Sequence, residues 1–251
     1  MLINANTAIS TSAVLLVPYS KWHVPRYHVW MKDEEIQTAT ASEPLSLEEE
    51  YAMQQSWRHD ADKLTFIVCQ PLPEPLSKAK QKYAIRESDD SADRMLGDIN
   101  LFLRVDDGEA GDSSAPQIIG EVELMIAEKH NQRKGFGRAS LLTFLRYIVD
   151  HEAQILDEFM NGNITSAASS ESVARVPKPW RLECLSVKIG QGNGRSLALF
   201  EGLGFQKVSE EPNFFGEFEL RRVDLGREKV DGELARFGIE GYVEVPYRDE
   251  K

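Results

Sequence analysis

Gln132-Arg133-Lys134-Gly135-Phe136-Gly137-Arg138 joins an apolar strand to the longest helical period of the chain. Before it, Gln117 to Ala127 reads as a strand. After it, apolar residues at positions 141, 142, 144, 145, 148, 149, 155, 156 and 159 recur with helical period, so Arg138 to Phe159 reads as the longest helix of the chain. A glycine-bearing turn between strand and helix gathers N–H groups without helical acceptors at one point, and the helix dipole adds positive character there. Glycine lets a ligand approach the main chain, and Arg133, Lys134 and Arg138 add side-chain charge. The spacing suits a pyrophosphate; the alternative is a plain turn that needs glycine for its geometry.

Working outward, Ala13 to Val17 reads as a short buried strand stopped by Pro18. Trp22 to Met31 reads as a helix with Pro25 in its first turn. Ser46-Leu47-Glu48-Glu49 has the form of a capping box and opens a helix to about Trp57. Leu64 to Cys69 and Met95 to Val105 are strands, as are Leu182 to Ile189 and Phe214 to Val223. Arg195 to Gly202 is a helix, and a strand starts over Gly204 to Val208. Segments 70–93 and 160–179 lack periodicity and are expected to be mobile loops, dispensable for the chemistry; 106–116 is an acidic turn. This order predicts one α/β domain over 1–222, a central sheet flanked by helices, followed by a charged extension over 223–251.

The 251 residues are 41% hydrophobic and 28% charged, ordinary for a chain with a real core. Acidic residues outnumber basic ones 41 to 29, for a formal charge of −12. Such a field repels phosphate backbones, which argues against nucleic acid as a main partner, and it draws cationic amines or basic peptides. Cys69 and Cys184 lie in apolar runs and read as buried free thiols. His23, His28, His59, His130 and His151 show no ligand spacing, so no metal is expected. Ala13 to Val17 lacks the basic start of a secretory signal and is too short to span a bilayer, so a cytoplasmic protein without a membrane partner is expected.

Strand, then Gln132-x-x-Gly135-x-Gly137, then a long helix resembles the acetyl-CoA motif of the GNAT N-acyltransferases. Ser186 to Ile189, Asn193-x-x-Ser196 and Leu203-Gly204-Phe205 resemble the next strand, helix and closing Gly-Phe of that superfamily. Closer still, His23 to Met31, Thr40 to Leu45, Glu49 to Gln54, Gly97 to Leu103, Gly120 to Ala127 and Lys188 to Asn193 look like the eukaryotic N-acetyltransferase 9 family, whose members are associated with N-terminal acetylation of tubulins. The resemblance implies a mixed sheet whose two central strands splay apart to admit the pantetheine arm of acetyl-CoA. It also implies that Gln132, Arg133, Lys134, Gly135, Phe136, Gly137 and Arg138 hold the cofactor. A backbone N–H near Met125, Ile126 and Ala127 would hold the thioester carbonyl. Asn193 and Ser196 would meet the pantetheine amides, although Asn193 also suits a helix cap. Glu34, Glu35, Thr40, Ser42 and Glu43 fall where the fold places the acceptor groove.

Transfer of acetyl to an amine needs a neutral nucleophile and a polarised carbonyl. Glu121 and Glu123 alternate on the strand that enters the glycine turn, so both project to one face. On the substrate side either could deprotonate the amine, directly or through water; otherwise they are two carboxylates at a solvated edge. The superfamily's leaving-group tyrosine is replaced by Phe200, and Ser186 stands where related enzymes often carry Glu. The expected acceptor is a protein N-terminal amine, with tubulin as a candidate. The alternatives are a small-molecule amine, or a CoA-binding or microtubule-associated scaffold with little turnover.

Overall fold

The computed structural model of the protein describes residues 1–74, 76, 83–108, 115–165 and 171–248, and the side chains of 163–165 and 171–172 are left aside. Its first elements are β1 (Thr7–Ser10), β2 (Leu15–Pro18), α1 (Val24–Trp30), α2 (Glu34–Thr40), α3 (Leu47–His59) and β3 (Lys63–Cys69). There follow β4 (Met95–Asp106), β5 (Gln117–Ile126), the 30-residue α4 (Phe136–Thr165), α5 (Glu171–Arg175) and β6 (Leu182–Gly190). The chain ends with α6 (Gly194–Glu201), β7 (Gln206–Lys207), β8 (Glu217–Arg222), α7 (Arg227–Arg236) and β9 (Val243–Pro246). The nine strands among the described residues form one sheet in the order β7, β8, β6, β5, β4, β3, β2, β1, β9. β5 and β6 run parallel, and the neighbours in each other pair are antiparallel. This is the expected mixed sheet flanked by helices.

Period-2 alternation divides β4 and β5 between two faces. Ile99, Leu101, Ile118 and Val122 share the main apolar cluster with Leu141, Phe144, Leu145 and Ile148 of α4. A second cluster joins Val24, Tyr27 and Trp30 of α1 to Leu15, Val17, Ile67 and Met95. Gly97 marks the closest approach of β4 to β5: a Cβ there would stand 1.8 Å from the Met125 carbonyl oxygen. The two strands therefore meet at the end of β5 through bare backbone.

Three sequence expectations need correction. The segment over 223–251 is no appendage. β9 pairs with β1 from Thr7↔Pro246 to Ser10↔Val243, and Val230 and Leu234 of α7 enter the main core. Buried Arg222 fastens α7, donating to Leu203 O at 2.6 Å and to Glu233 Oε2 at 3.0 Å. The stretch 83–93 is likewise packed into the fold rather than free of it. Ile85, Asp89 and Asp90 are buried, and Asp90 accepts from Tyr247 Oη at 2.5 Å and Arg248 NH2 at 2.7 Å, with His23 Nε2 at 3.2 Å. A carboxylate so enclosed persists through these donors. Residues 75 and 77–82, and 109–114 of the acidic turn, lie outside the described residues. Over 160–179, α4 continues to Thr165, and Val173 and Val176 join the core. Residues 166–170 are outside the description.

Candidate active site

The parallel pairing of β5 with β6 runs from Ile118↔Leu182 to Glu121↔Ser186 and stops there. β5 continues to Ile126 and β6 to Gly190, so the two strands part. The gap opens into a cleft of about 910 Å³. Its walls include Leu124, Met125, Ile126 and Ala127 of the parted strand, Gln132, Arg133, Gly135, Gly137 and Arg138 of the glycine turn, and Asn193, Arg195, Ser196 and Phe200 at α6. Lys134 and Phe136 are not among the lining residues; Phe136 packs against the main core instead.

The turn is shaped for an anion. Gly135 has φ +91°, and an added Cβ would meet nothing within 4 Å, so the space above it is open to a ligand. Arg133 also takes the left-handed region, at φ 63°, which a residue with a Cβ adopts at a cost and which is frequent at functional sites. The N–H groups of the first turn of α4 have no helical acceptors and point out of its N-terminus. Gln132 braces the turn: its Nε2 donates to Ile126 O at 2.9 Å. Arg138 lies over the ring of Phe237, the residue that follows α7, at 4.2 Å. Asn193 caps α6, its side chain accepting the Ser196 N–H at 3.1 Å while both residues still line the cleft.

The backbone donors of β5 can be sorted by register. The Ala127 N–H is bound to Leu96 O at 2.9 Å, toward β4. In an antiparallel ladder donors alternate, so the Met125 N–H also faces β4, whereas those of Leu124 and Ile126 face the gap. Of the three residues expected to hold the carbonyl, Ile126 is the one whose N–H is aimed there.

Glu121 and Glu123 do share a face with Met125, opposite Phe102, Asn100 and Asp98 of β4. Their surroundings separate them. Glu121 Oε2 accepts from Lys188 Nζ of β6 at 2.8 Å. Glu123 has neither hydrogen bond nor ion pair among the described residues. The Glu123 side chain is exposed to solvent, with protein packed along one side of it. Partial desolvation by that protein, then the charges of Asp98 and Glu121, push its pKa up to about 7 against the opposing pull of Lys188. Water at the carboxylate tempers the shift without reversing it. Glu123 stands one pleat back from Met125, about 7 Å along β5, and is not among the residues that line the cleft.

The candidate acceptor residues divide too. Glu35 and Thr40 of α2 line the cleft, with Asp33, Ile36 and Ala39. Glu34, Ser42 and Glu43 are absent from its lining. α2 buries none of its residues and is tied across the cleft by Glu35 to Lys129 Nζ at 2.7 Å. Below it Glu128, unassigned in the sequence reading, binds Arg26, Trp30 Nε1 at 3.4 Å and Asn131 Nδ2 at 3.4 Å, which locks α1 to the approach of the glycine turn. Phe200 meets Phe205 edge-on at 5.0 Å. Among the described residues, no group of His, Cys, Asp and Glu is arranged to hold a metal ion, and no helix is long and apolar enough to cross a membrane.

The family model for the acetyltransferase (GNAT) domain matches residues 13–206. This chain belongs to the GNAT acetyltransferase family. Within that family it is similar to the N-acetyltransferase 9-like protein of Schizosaccharomyces pombe, 37% identical over 239 residues that cover 88% of this chain and 99% of the relative. It is also 37% identical over 222 residues to the alpha/beta-tubulin-N-acetyltransferase 9 of Homo sapiens, covering 88% of this chain and 85% of that one. A GNAT-family acetyltransferase from Bacillus anthracis shares the fold, with a TM-score of 0.52 over 86% of this chain and 98% of that one at 10% identity. As a GNAT acetyltransferase, the chain is an acyl-transferring enzyme, and its parted strands and glycine turn are the parts of the fold described above.

Two further residues of this acetyltransferase, besides Glu128 and the α2 residues named above, escaped the sequence reading of the site. Asp98 and Asn100 stand on the carboxylate face beside Glu123, both buried. Their signal was present, since polar residues alternate through Gly97-Asp98-Ile99-Asn100-Leu101, but alternation alone does not tell a solvated face from an enclosed one.

Proposed function

We propose that this enzyme transfers acetyl from acetyl-CoA to a protein N-terminal amine, with Glu123 as general base. The observation that carries the reading is the unpaired, raised carboxyl of Glu123 one pleat from the parted strand edge. A base poised near neutrality both accepts a proton from an ammonium and remains partly ionised to do so.

The residues present fit acetyl-CoA. The first-turn N–H groups of α4, the open space over Gly135, and Arg133, Arg138 and Arg195 offer a pyrophosphate its donors and charge in a chain of net charge −12. When bound, the co-substrate supplies a thioester as acetyl donor. The Ile126 N–H faces the place where charge gathers on a carbonyl oxygen there. Glu123 takes one proton from the incoming ammonium, and the freed nitrogen lone pair is then available for attack. Attack leaves one further proton on the nitrogen to be lost as the C–S bond breaks, and since Phe200 offers none, that proton would reach the departing thiolate through water.

The protein-amine assignment draws on the relatives. The human and Drosophila melanogaster proteins, 37% and 38% identical, are named as acetyltransferases of alpha/beta-tubulin. Glu35 and Asp33 at the cleft edge suit a cationic, N-terminal ammonium. A cytoplasmic location is part of this proposal, as that is where a tubulin-like acceptor would be met. The test is turnover with acetyl-CoA of a peptide carrying a tubulin-like N-terminus, with spermidine and free lysine beside it. Preference for the peptide supports the reading. Preference for spermidine or lysine replaces it with a small-amine enzyme, and no turnover of any of them despite CoA binding replaces it with a scaffold.

A further inference from the structure

A second carboxyl group lies on the face that carries Glu123. Asp98 of β4 is 3% exposed and Asn100 likewise. Asn100 stands directly opposite Glu123 in the β4–β5 ladder, which makes Asp98 a diagonal neighbour on the same face, a relation that brings side chains within roughly 5–8 Å. Asn100 Nδ2 donates to Asp98 Oδ2 at 2.6 Å, and the Tyr27 hydroxyl of α1 reaches the same oxygen at 3.5 Å. Asp98 Oδ1 and Asn100 Oδ1 are buried with no hydrogen-bond partner among the described residues. No lysine or arginine among them pairs with Asp98.

A buried acid without a counter-cation lowers stability, and packing alone gives no reason for one on this strand. We propose that Asp98 is a positioning residue that sets the readiness of Glu123 to accept a proton, through a coupled carboxyl pair spanning β4 and β5. The inference rests on the reading of Glu123 as the base. Two carboxyls this close resist being ionised together, so each charge makes the other group a better proton acceptor. Burial holds Asp98 itself up to about 6, against the hydrogen bonds of Asn100 and Tyr27. The other groups facing the pair do not replace this coupling. Lys188 of β6 is taken up by Glu121. Tyr19 and Tyr27 are held protonated by burial, and Glu50 of α3 lies against His28, 3.7 Å away. In the reaction the proton passes from the ammonium to Glu123, and Asp98 forms and breaks no bond.

The coupling is read by carboxyl-carbon NMR titration of the full chain without ligand, the Glu123 signal being assigned by its loss in Glu123→Gln. Replacing Asp98 with Asn should lower the Glu123 midpoint by about one pH unit. Asp98 ionises first, so in wild type its signal should show a second inflection as Glu123 ionises, and in Glu123→Gln it should titrate in a single step. This second arm alters a group that solvent reaches, so it stands even where Asp98→Asn does not fold. A Glu123 midpoint unmoved in folded Asp98→Asn, or an Asp98 titration of the same single-step form in wild type and in Glu123→Gln, overturns the proposal. Neither measurement needs turnover. The acid limb of the kcat/KM profile should move down with the Glu123 midpoint in Asp98→Asn, whereas a merely structural role would lower the rate and leave the limb in place. A moved midpoint with an unmoved limb upholds the coupling and counts against Glu123 as base.

Discussion

Lys188 of β6 reaches across the parting strands to Glu121 of β5, Nζ to Oε2 at 2.8 Å, and thereby distinguishes two carboxylates that stand on one face of one strand. The cation compensates Glu121 and leaves Glu123 without a partner. Glu121→Gln should therefore lower turnover less than about tenfold, below the usual contribution of a general base. Steady-state kinetics on the peptide substrate checks this, and a loss as large as that of Glu123→Gln would reverse the assignment.

Gly135 carries φ +91° beneath open space, where any β-branched side chain is both strained and in the path of a ligand. Gly135→Val should weaken acetyl-CoA binding at least about tenfold, equivalent to about 1.4 kcal/mol. Calorimetry on the folded variant decides, and unaltered affinity would remove the turn from the cofactor site.

Truncation after Val223 removes both α7 and β9. It leaves β1 as a bare edge and Arg222, 1% exposed, without Glu233. An unpaired buried charge alone costs on the order of 3–5 kcal/mol, a large part of a domain's stability. The truncated chain should show no cooperative thermal transition at neutral pH. A melt like that of the full chain would restore 223–251 to the status of an extension.

The raised carboxyl of Glu123 also sets a pH dependence of stability. A group held above its unfolded value of 4.5, here up to about 7, favours the folded state only while protonated. Its penalty is absent below the unfolded value, grows through the interval, and is complete above about 7. Glu123→Gln should accordingly melt above wild type at alkaline pH, and the advantage should vanish as pH falls toward 4.5. Thermal melts across this range check the sign; a difference that grows toward acid would contradict it.

The centre of this fold was legible because its signals are local. The apolar period of α4, the glycine spacing before it and the alternation of Glu121 and Glu123 each lie within one element. The parting of β5 from β6 came from resemblance, and the register bears it out. What stayed hidden depends on partners far along the chain. Val243 and Val245 are too few to announce a strand, and they become one by pairing with β1 at the other end. Asp90 sits in a stretch that looks like loop until Tyr247 and Arg248 return to it. α2 has no apolar face to give it period, although Asp33 two residues before Glu35 is a readable cap, its side chain accepting the Glu35 N–H at 2.8 Å. Which of the two glutamates is free was decided by Lys188, and no pattern within β5 contains that information.

The measurement that bears most directly on the account is kcat/KM for acetylation of a peptide with a tubulin-like N-terminus, by wild type and by Glu123→Gln, from about pH 6 to about pH 9. The account predicts a loss of roughly 10²- to 10⁴-fold near neutrality with acetyl-CoA affinity little changed, shrinking as pH rises and more of the amine is already neutral. A folded Glu123→Gln enzyme that acetylates the peptide at the wild-type rate across that range would contradict it.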